Sequence, residues 1–211
     1  MKIVKKKLHQ RCDMKIEYRV LCTANNQQRI DNVAIMKSQL PSLQITMSGM
    51  DGLFERYIET YKISDNSTGL VFFDDDVQLC KNFQSRCEET ISEYPNSVIS
   101  MFESACSKSE LKTEWRKGRI FAWNQCNYFP KSVCDKLYDW NNVAEFKEWY
   151  FKHYKTWTYP SDTYIAFTLN KYKIDYLMKL PFLVQHLDFK SALGKRPTNR
   201  QTKYFIDDLE D

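Results

Sequence analysis

Three consecutive carboxylates, Asp74, Asp75 and Asp76, close the segment Gly69-Leu-Val-Phe-Phe-Asp-Asp-Asp-Val77. Leu70 to Phe73 read as one buried strand, because β-branched and aromatic residues cluster there and Gly69 marks the turn before it. The acids therefore fall where a strand opens into a loop. Open α/β sheets bind ligands at the carboxyl ends of their strands, and hard divalent cations prefer oxygen ligands. Adjacent carboxylates repel one another, so a fold that keeps them together needs a cation nearby or a solvated loop. On these residues alone, a cation site and a solvated acidic turn are both open.

The elements that must position the acids follow from periodicity. Tyr18 to Cys22 reads as a first buried strand, followed by a polar loop over Thr23 to Asn26. Ile30, Val33, Ile35, Met36 and Leu40 then recur at helical spacing until Pro41 stops the helix. Leu43 to Met47 is a second strand and Leu53 to Tyr61 a helix. After the acids, Val77 to Ile91 reads as a helix with Leu79, Phe83, Cys87 and Ile91 on one face. This alternation is the βαβ pattern of a parallel sheet between helices. Val98 to Phe102, Ile120 to Trp123 and Gln125 to Phe129 read as further strands, the last running back beside its predecessor. Pro130 opens a helix through Tyr138, Val143 to Tyr154 forms another, and Asp162 to Asn170 a third, with Ser161 or Asp162 as cap. Tyr172 to Leu177 and Phe182 to Val184 are short late strands. The expected fold class is α/β: a Rossmann-like, mostly parallel sheet flanked by helices. It forms a single domain over 1–211, with a basic N-terminal segment at 1–15 and a peripheral tail at 195–211.

Composition agrees with one packed domain. The 211 residues suffice for a continuous core, and with 5 Gly and 6 Pro the chain is neither collagenous nor broadly disordered. The 13 Tyr, 13 Phe and 5 Trp favour aromatic-lined surfaces of the kind that stack on a sugar or a base. A net charge of +4 tolerates a nucleotide or polyanionic partner without requiring one. Cysteines at 12, 22, 80, 87, 106, 126 and 134 contain no CxxC pair, and their odd number in a chain with no expected signal peptide points to mostly reduced thiols. The basic start Met1-Lys-Ile-Val-Lys-Lys-Lys leads into no apolar run, and no stretch approaches the roughly 20 apolar residues of a membrane span. A cytoplasmic protein is expected.

The parts together resemble the metal-dependent, nucleotide-sugar glycosyltransferases of the GT-A type. Phe72-Phe-Asp-Asp-Asp-Val77 is similar to their apolar-acid-acid-Asp-Val loop, which carries an Asp-x-Asp motif. Pro181-Phe-Leu-Val-Gln-His-Leu-Asp-Phe-Lys-Ser191 resembles their P-x-L-x-Q-H-x-G-x-x-S ending, and Cys22 to Arg29 their opening strand, loop and arginine. In two places the chain departs from the pattern. The glycine that follows the Gln-His pair is Asp188 here, and the first loop acid is Asp74 where Glu is common.

The resemblance implies a set of roles. Asp76 and His186 would hold Mn²⁺ or Mg²⁺, which relieves charge on a departing diphosphate. Otherwise His186 is a hydrogen-bonded core histidine. Asp74 would face ribose or base, with Asp75 in support, and the donor would be a nucleoside diphosphate sugar, UDP-linked by preference. Arg29 would contact base or phosphate, or be solvated at a helix start. Lys190 and Lys195, with Arg196, would close over the diphosphate, or be ordinary surface residues. Asp162 would act as general base toward the acceptor, or as a helix cap. Trp123 and Asn124 would line the sugar pocket, and Trp157 and Tyr159 the acceptor side.

The expected activity is sugar transfer to an acceptor hydroxyl, on a glycan or small molecule or on hydroxymethylated cytosine in phage DNA. For duplex DNA, the run Lys2, Lys5, Lys6, Lys7 and Arg11 would contact phosphates, and otherwise it is a solubilising arm. Two other classes compete: a non-catalytic nucleotide- or glycan-binding protein, and a metal-dependent phosphotransferase or nuclease. The last lacks a clear second carboxylate cluster.

Overall fold

Side-chain alternation along the strands assigns each residue to one of two cores. The computed structural model describes residues 14–49, 51–102, 115–117, 124–189, 201–202 and 204–209. The strands are β1 (Ile16–Thr23), β2 (Gln44–Ser48), β3 (Gly69–Asp74), β4 (Val77–Leu79), β5 (Val98–Ser100), β6 (Trp115–Lys117), β7 (Cys126–Pro130), β8 (Tyr176–Lys179) and β9 (Val184–His186). The helices are α1 (Gln27–Gln39), α2 (Leu53–Thr60), α3 (Phe83–Glu93), α4 (Lys131–Leu137), α5 (Trp140–Tyr154), α6 (Ser161–Lys171) and α7 (Ile206–Leu209).

In β3, Val71 and Phe73 join Tyr18, Val20 and Cys22 of β1 in a core covered by Val33 and Met36 of α1 and by Phe83, Cys87 and Ile91 of α3. Leu70 and Phe72 face the opposite way, toward Phe54 and Ile58 of α2, Leu137 of α4, Phe146 of α5 and Tyr164 of α6. A strand buried on both faces reads as a continuous apolar run, which is why Leu70 to Phe73 is legible.

The seven-stranded sheet has the order β2-β1-β3-β7-β5-β8-β6, and β4 and β9 form a separate ribbon. β1 pairs parallel with β2 and β3, β5 pairs parallel with β8, and β7 runs antiparallel between β3 and β5. The architecture is thus the expected α/β type, a Rossmann-like, largely parallel sheet with helices on both faces. Gly69 lies where β3 and β7 approach closely: a Cβ there would come within 2.5 Å of the Tyr128 ring and 2.6 Å of the Phe129 carbonyl. Among the described residues no helix is long and apolar enough to cross a membrane.

Several sequence expectations change. Val77 to Leu79 is not the first turn of a helix but strand β4, paired with β9 through Val77↔His186 and Leu79↔Val184. Val77 and Leu79 are buried and Gln78 is exposed, a period of two. The helix begins only after Asn82, whose φ of 56° breaks the backbone run. Gln125 to Phe129 does run back as a strand, but its partners are β3 and β5; the expected strand at 120–123 lies outside the described residues. Neither Ser161 nor Asp162 caps α6, whose N-cap is Pro160. The C-terminal segment is not wholly peripheral, since Phe205 is 1 % exposed and bridges Phe182.

Candidate functional site

β3 carries Asp74 to the carboxyl end of a central strand, opposite Leu21 of β1, and the Asp74 N–H donates to the Gln125 carbonyl at 3.0 Å. Asp75 and Asp76 form the turn into β4. Because β4 pairs with β9, His186 stands opposite Val77, and the Leu187 N–H donates to the Asp76 carbonyl at 2.9 Å. The pairing sets the two side chains together: His186 Nε2 lies 3.4 Å from Asp76 Oδ2, without hydrogen-bond geometry.

The start of α1 clamps the same turn. Asn26 caps the helix by accepting the Arg29 N–H. The Arg29 guanidinium then spans both carboxylates, Nη1 to Asp75 Oδ1 and Nη2 to Asp76 Oδ2, the latter at 2.7 Å. Asp75 Oδ2 also accepts the Thr23 N–H at 2.7 Å, and Asn32 Nδ2 donates to the carbonyls of Asp75 and Val77 at 3.0 and 2.9 Å. Arg29, Asp75 and Asp76 are all buried, so the solvated alternatives for the arginine and for the Asp75-Asp76 turn do not hold. Arg29 Nε has no hydrogen-bond partner among the described residues.

These contacts set the charge states. Burial disfavours the Arg29 cation, but Asp76 and then Asp75 outweigh it and raise its pKa. Burial likewise disfavours the Asp76 carboxylate, yet His186 and Arg29 hold its pKa below the ordinary value. Asp74 gets less help: burial, then Asp76 and Asp75, push its carboxyl well above the usual range, with Arg29 opposing and Asp162 adding a further push. The cluster thus concentrates more negative charge than Arg29 neutralises, and Asp162 lies within electrostatic reach of Asp74.

On the other side of the imidazole, the Asp188 N–H is 2.9 Å and its Oδ1 3.0 Å from His186 Nδ1. Gln185 locks the strand end, donating to the Thr202 carbonyl and accepting the Thr202 N–H, both at 2.8 Å. Around Asp74, the Tyr57 hydroxyl donates to its Oδ1 at 3.3 Å. Asn124 is buried and accepts from Asn127 at 3.3 Å, while its Nδ2 and Gln125 Oε1 have no partner among the described residues. Asp162 accepts the Thr163 N–H at 2.7 Å.

Arg29, Asp75, Asp76 and His186 thus meet in one buried cluster, with Asp74 at its rim and Asp162 nearby. Tyr159 packs against Phe54, Phe146 and Tyr150, and Trp157 is 72 % exposed and stacked on Phe151 at 4.0 Å. Trp123, Lys190 and Lys195 lie outside the described residues. Asn32, Tyr57, Gln125 and Asp188 belong to the site but were not among the residues singled out for it by sequence. Asn32 had a signal, as a polar residue beside Val33 and Met36 on the buried face of α1.

The chain matches no protein-family model, and no curated protein is significantly similar to it. Among the described residues no group of three or more His, Cys, Asp or Glu side chains is arranged to hold a metal ion. A divalent cation here would therefore rest on the Asp76–His186 pair. That pair can be drawn onto one: among the described residues His186 Nε2 is buried without a hydrogen-bond partner, and its 3.4 Å from Asp76 Oδ2 needs to close by about 0.4 Å to reach the roughly 3.0 Å between adjacent ligands of an octahedral ion with bonds of about 2.1 Å. The donor set, one carboxylate oxygen and one imidazole nitrogen, suits Mn²⁺.

Proposed function

We propose that the chain is a metal-dependent glycosyltransferase that moves a sugar from a nucleoside diphosphate sugar to an acceptor hydroxyl. The observation that supports this is the meeting of Asp76 Oδ2 and His186 Nε2, 3.4 Å apart, in a buried acid-rich cluster at the carboxyl ends of β1 and β3. Mn²⁺ or Mg²⁺ bound by these two groups would neutralise charge on the departing diphosphate. Arg29 and Asp75 keep the loop in place, and Asp74 faces the ribose or base of a UDP-type donor. Asn124 offers its amide to sugar hydroxyls, with Trp123 beside it in sequence. Lys190 and Lys195, outside the described residues, are the cations this reading offers to the phosphates.

In this reading Asp162 takes the proton of the acceptor hydroxyl as its oxygen attacks the anomeric carbon and the bond to the diphosphate breaks. Tyr159 and Trp157 flank the acceptor's approach, the exposed Trp157 ring offering a stacking face. The acceptor is a glycan or small molecule, or hydroxymethylated cytosine in DNA. A second reading, a nucleotide- or glycan-binding protein without transfer, is favoured by Arg29, which already gives Asp76 a counter-charge at 2.7 Å. Turnover separates the two. With a panel of nucleotide sugars and Mn²⁺, phosphatase-coupled release of diphosphate is expected for at least one donor. Binding of a nucleotide with no release from any donor, across glycan and hydroxymethylated-DNA acceptors, would leave the binding protein.

A further inference from the structure

β2 closes one side of the seven-stranded sheet: among the described residues its strand neighbour is β1 alone. The Ala24 N–H donates to the Ser48 carbonyl at 2.8 Å, so the backbone groups of Ser48 turn toward β1. Backbone groups alternate between the two sides of a strand. Thr46 therefore also turns toward β1, and the N–H and C=O of Ile45 and Met47 turn to the open side. Natural edge strands blunt such a row with lysine, proline or a bulge. β2 reads Gln44-Ile-Thr-Met-Ser48 in unbroken register with β1 and has none of these.

The side chains continue the pattern. In register with Val20 and Cys22, Ile45 and Met47 lie on the α1 face of the sheet, 41 % and 44 % exposed. Gln44 and Thr46 lie on the other face, where they line a groove with Arg56 and Glu59 of α2. A second β2, antiparallel and centred on Thr46, matches all of these features. Ile45 then stands opposite Met47 of the second copy, and each such pair exchanges both of its outward backbone hydrogen bonds. The apolar side chains cover one another, and Thr46 meets Thr46 in a favourable cross-strand pair. A two-fold axis through Thr46 also runs the two α2 helices antiparallel, setting Arg56 of one copy toward Glu59 of the other.

We propose that β2 is a dimerisation edge, joining two copies of this chain through an antiparallel β2–β2 pair about Thr46 into one continuous sheet. The occupant is a second copy because the strand complements itself in hydrogen bonding, apolar pairing and charge. With one short strand from each copy, the contact is at the small end of specific interfaces, so the dimer is weak and concentration-dependent. The inference is independent of the activity proposed above.

Sedimentation velocity of the full chain, from micromolar to near-millimolar concentration, should show a monomer–dimer equilibrium. Met47→Lys places a charge at an exposed position, so the fold, followed by circular dichroism, should be retained while the dimer weakens at least about tenfold. Met47→Leu should dimerise as the wild type does. Thr46→Cys reports the register, because a non-hydrogen-bonded antiparallel pair sets its Cα atoms about 4.5 Å apart, within disulfide reach. Mild oxidation should link Thr46→Cys chains into dimers on a denaturing gel, well beyond the level seen for wild type or Gln44→Cys. A wild type that stays monomeric throughout would leave the edge to another occupant and overturn the proposal. So would a dimer that Met47→Lys leaves intact, or one that Thr46→Cys does not cross-link.

Discussion

Arg29 Nη2 lies 2.7 Å from Asp76 Oδ2, the same oxygen that His186 Nε2 faces at 3.4 Å. One carboxylate oxygen is thus shared between a permanent internal cation and a histidine. Replacing Arg29 with Met would leave Asp75 and Asp76 buried without a counter-charge, a change that costs about 3–5 kcal/mol in comparable buried pairs. Urea unfolding of Arg29→Met should show that loss, with part of it restored by added Mn²⁺. Unchanged stability would mean the carboxylates do not depend on the guanidinium.

Asp76 itself is more than a ligand candidate. From sequence, removing it should relieve repulsion among the three acids at no cost in packing. Its contact with buried Arg29 reverses that expectation for stability. Asp76→Ala should lose about 1.5–3 kcal/mol, the scale of a hydrogen bond to a charged group, and all Mn²⁺-dependent transfer. Asp76→Asn, which keeps an oxygen for Arg29, should lose transfer with a smaller drop in unfolding midpoint. Equal activity of Asp76→Asn and wild type would remove Asp76 from the chemistry.

The strand leading to the acids was legible because both of its faces are buried, which leaves an unbroken apolar run. The partner of Asp76 was legible only through the resemblance of the Gln-His segment. Its proximity depends on the register Val77↔His186, a long-range pairing that local periodicity does not encode. The same pairing explains the misread helix start, since Leu79 falls in phase with Phe83, Cys87 and Ile91 while its backbone serves β4. Arg29 was legible as a charged residue at a helix start. Its partners were not, because an isolated arginine reads equally well as solvent-facing.

Asp162 lies in the first turn of α6 but is not its cap. Asp162→Asn should therefore change stability by no more than about 0.5 kcal/mol, as for a substitution that breaks no packing, cap or ion pair. As general base its loss should lower kcat on the order of 10²-fold with donor affinity little changed. Steady-state kinetics decide it, and full turnover would make Asp162 dispensable.

Away from the site, Glu17 anchors the loop before β3 by accepting from Ser64 N–H, Ser64 Oγ and Ser67 Oγ at 2.7, 2.8 and 2.6 Å. Burial opposes its charge, but these hydrogen bonds and Arg19 lower its pKa to about 2. A folded pKa below the unfolded one stabilises the fold above the unfolded value of 4.5 and loses that contribution as pH falls toward 2. Allowing for solvent screening, Glu17→Gln should cost about 1–2 kcal/mol at pH 7. The gap from wild type in urea unfolding should narrow as pH drops from 4.5 toward 2. A gap independent of pH would show that the charge of Glu17 does not matter.

The central claim is that Asp76 and His186 hold the divalent cation through which a nucleoside diphosphate binds. Calorimetric titration of nucleoside diphosphates, UDP first, with Mn²⁺ and with chelator tests it most directly. The predicted result is binding by the wild type that requires Mn²⁺ and is weakened at least tenfold in both Asp76→Asn and His186→Gln. Affinity that survives the chelator, or that both variants retain, would contradict it.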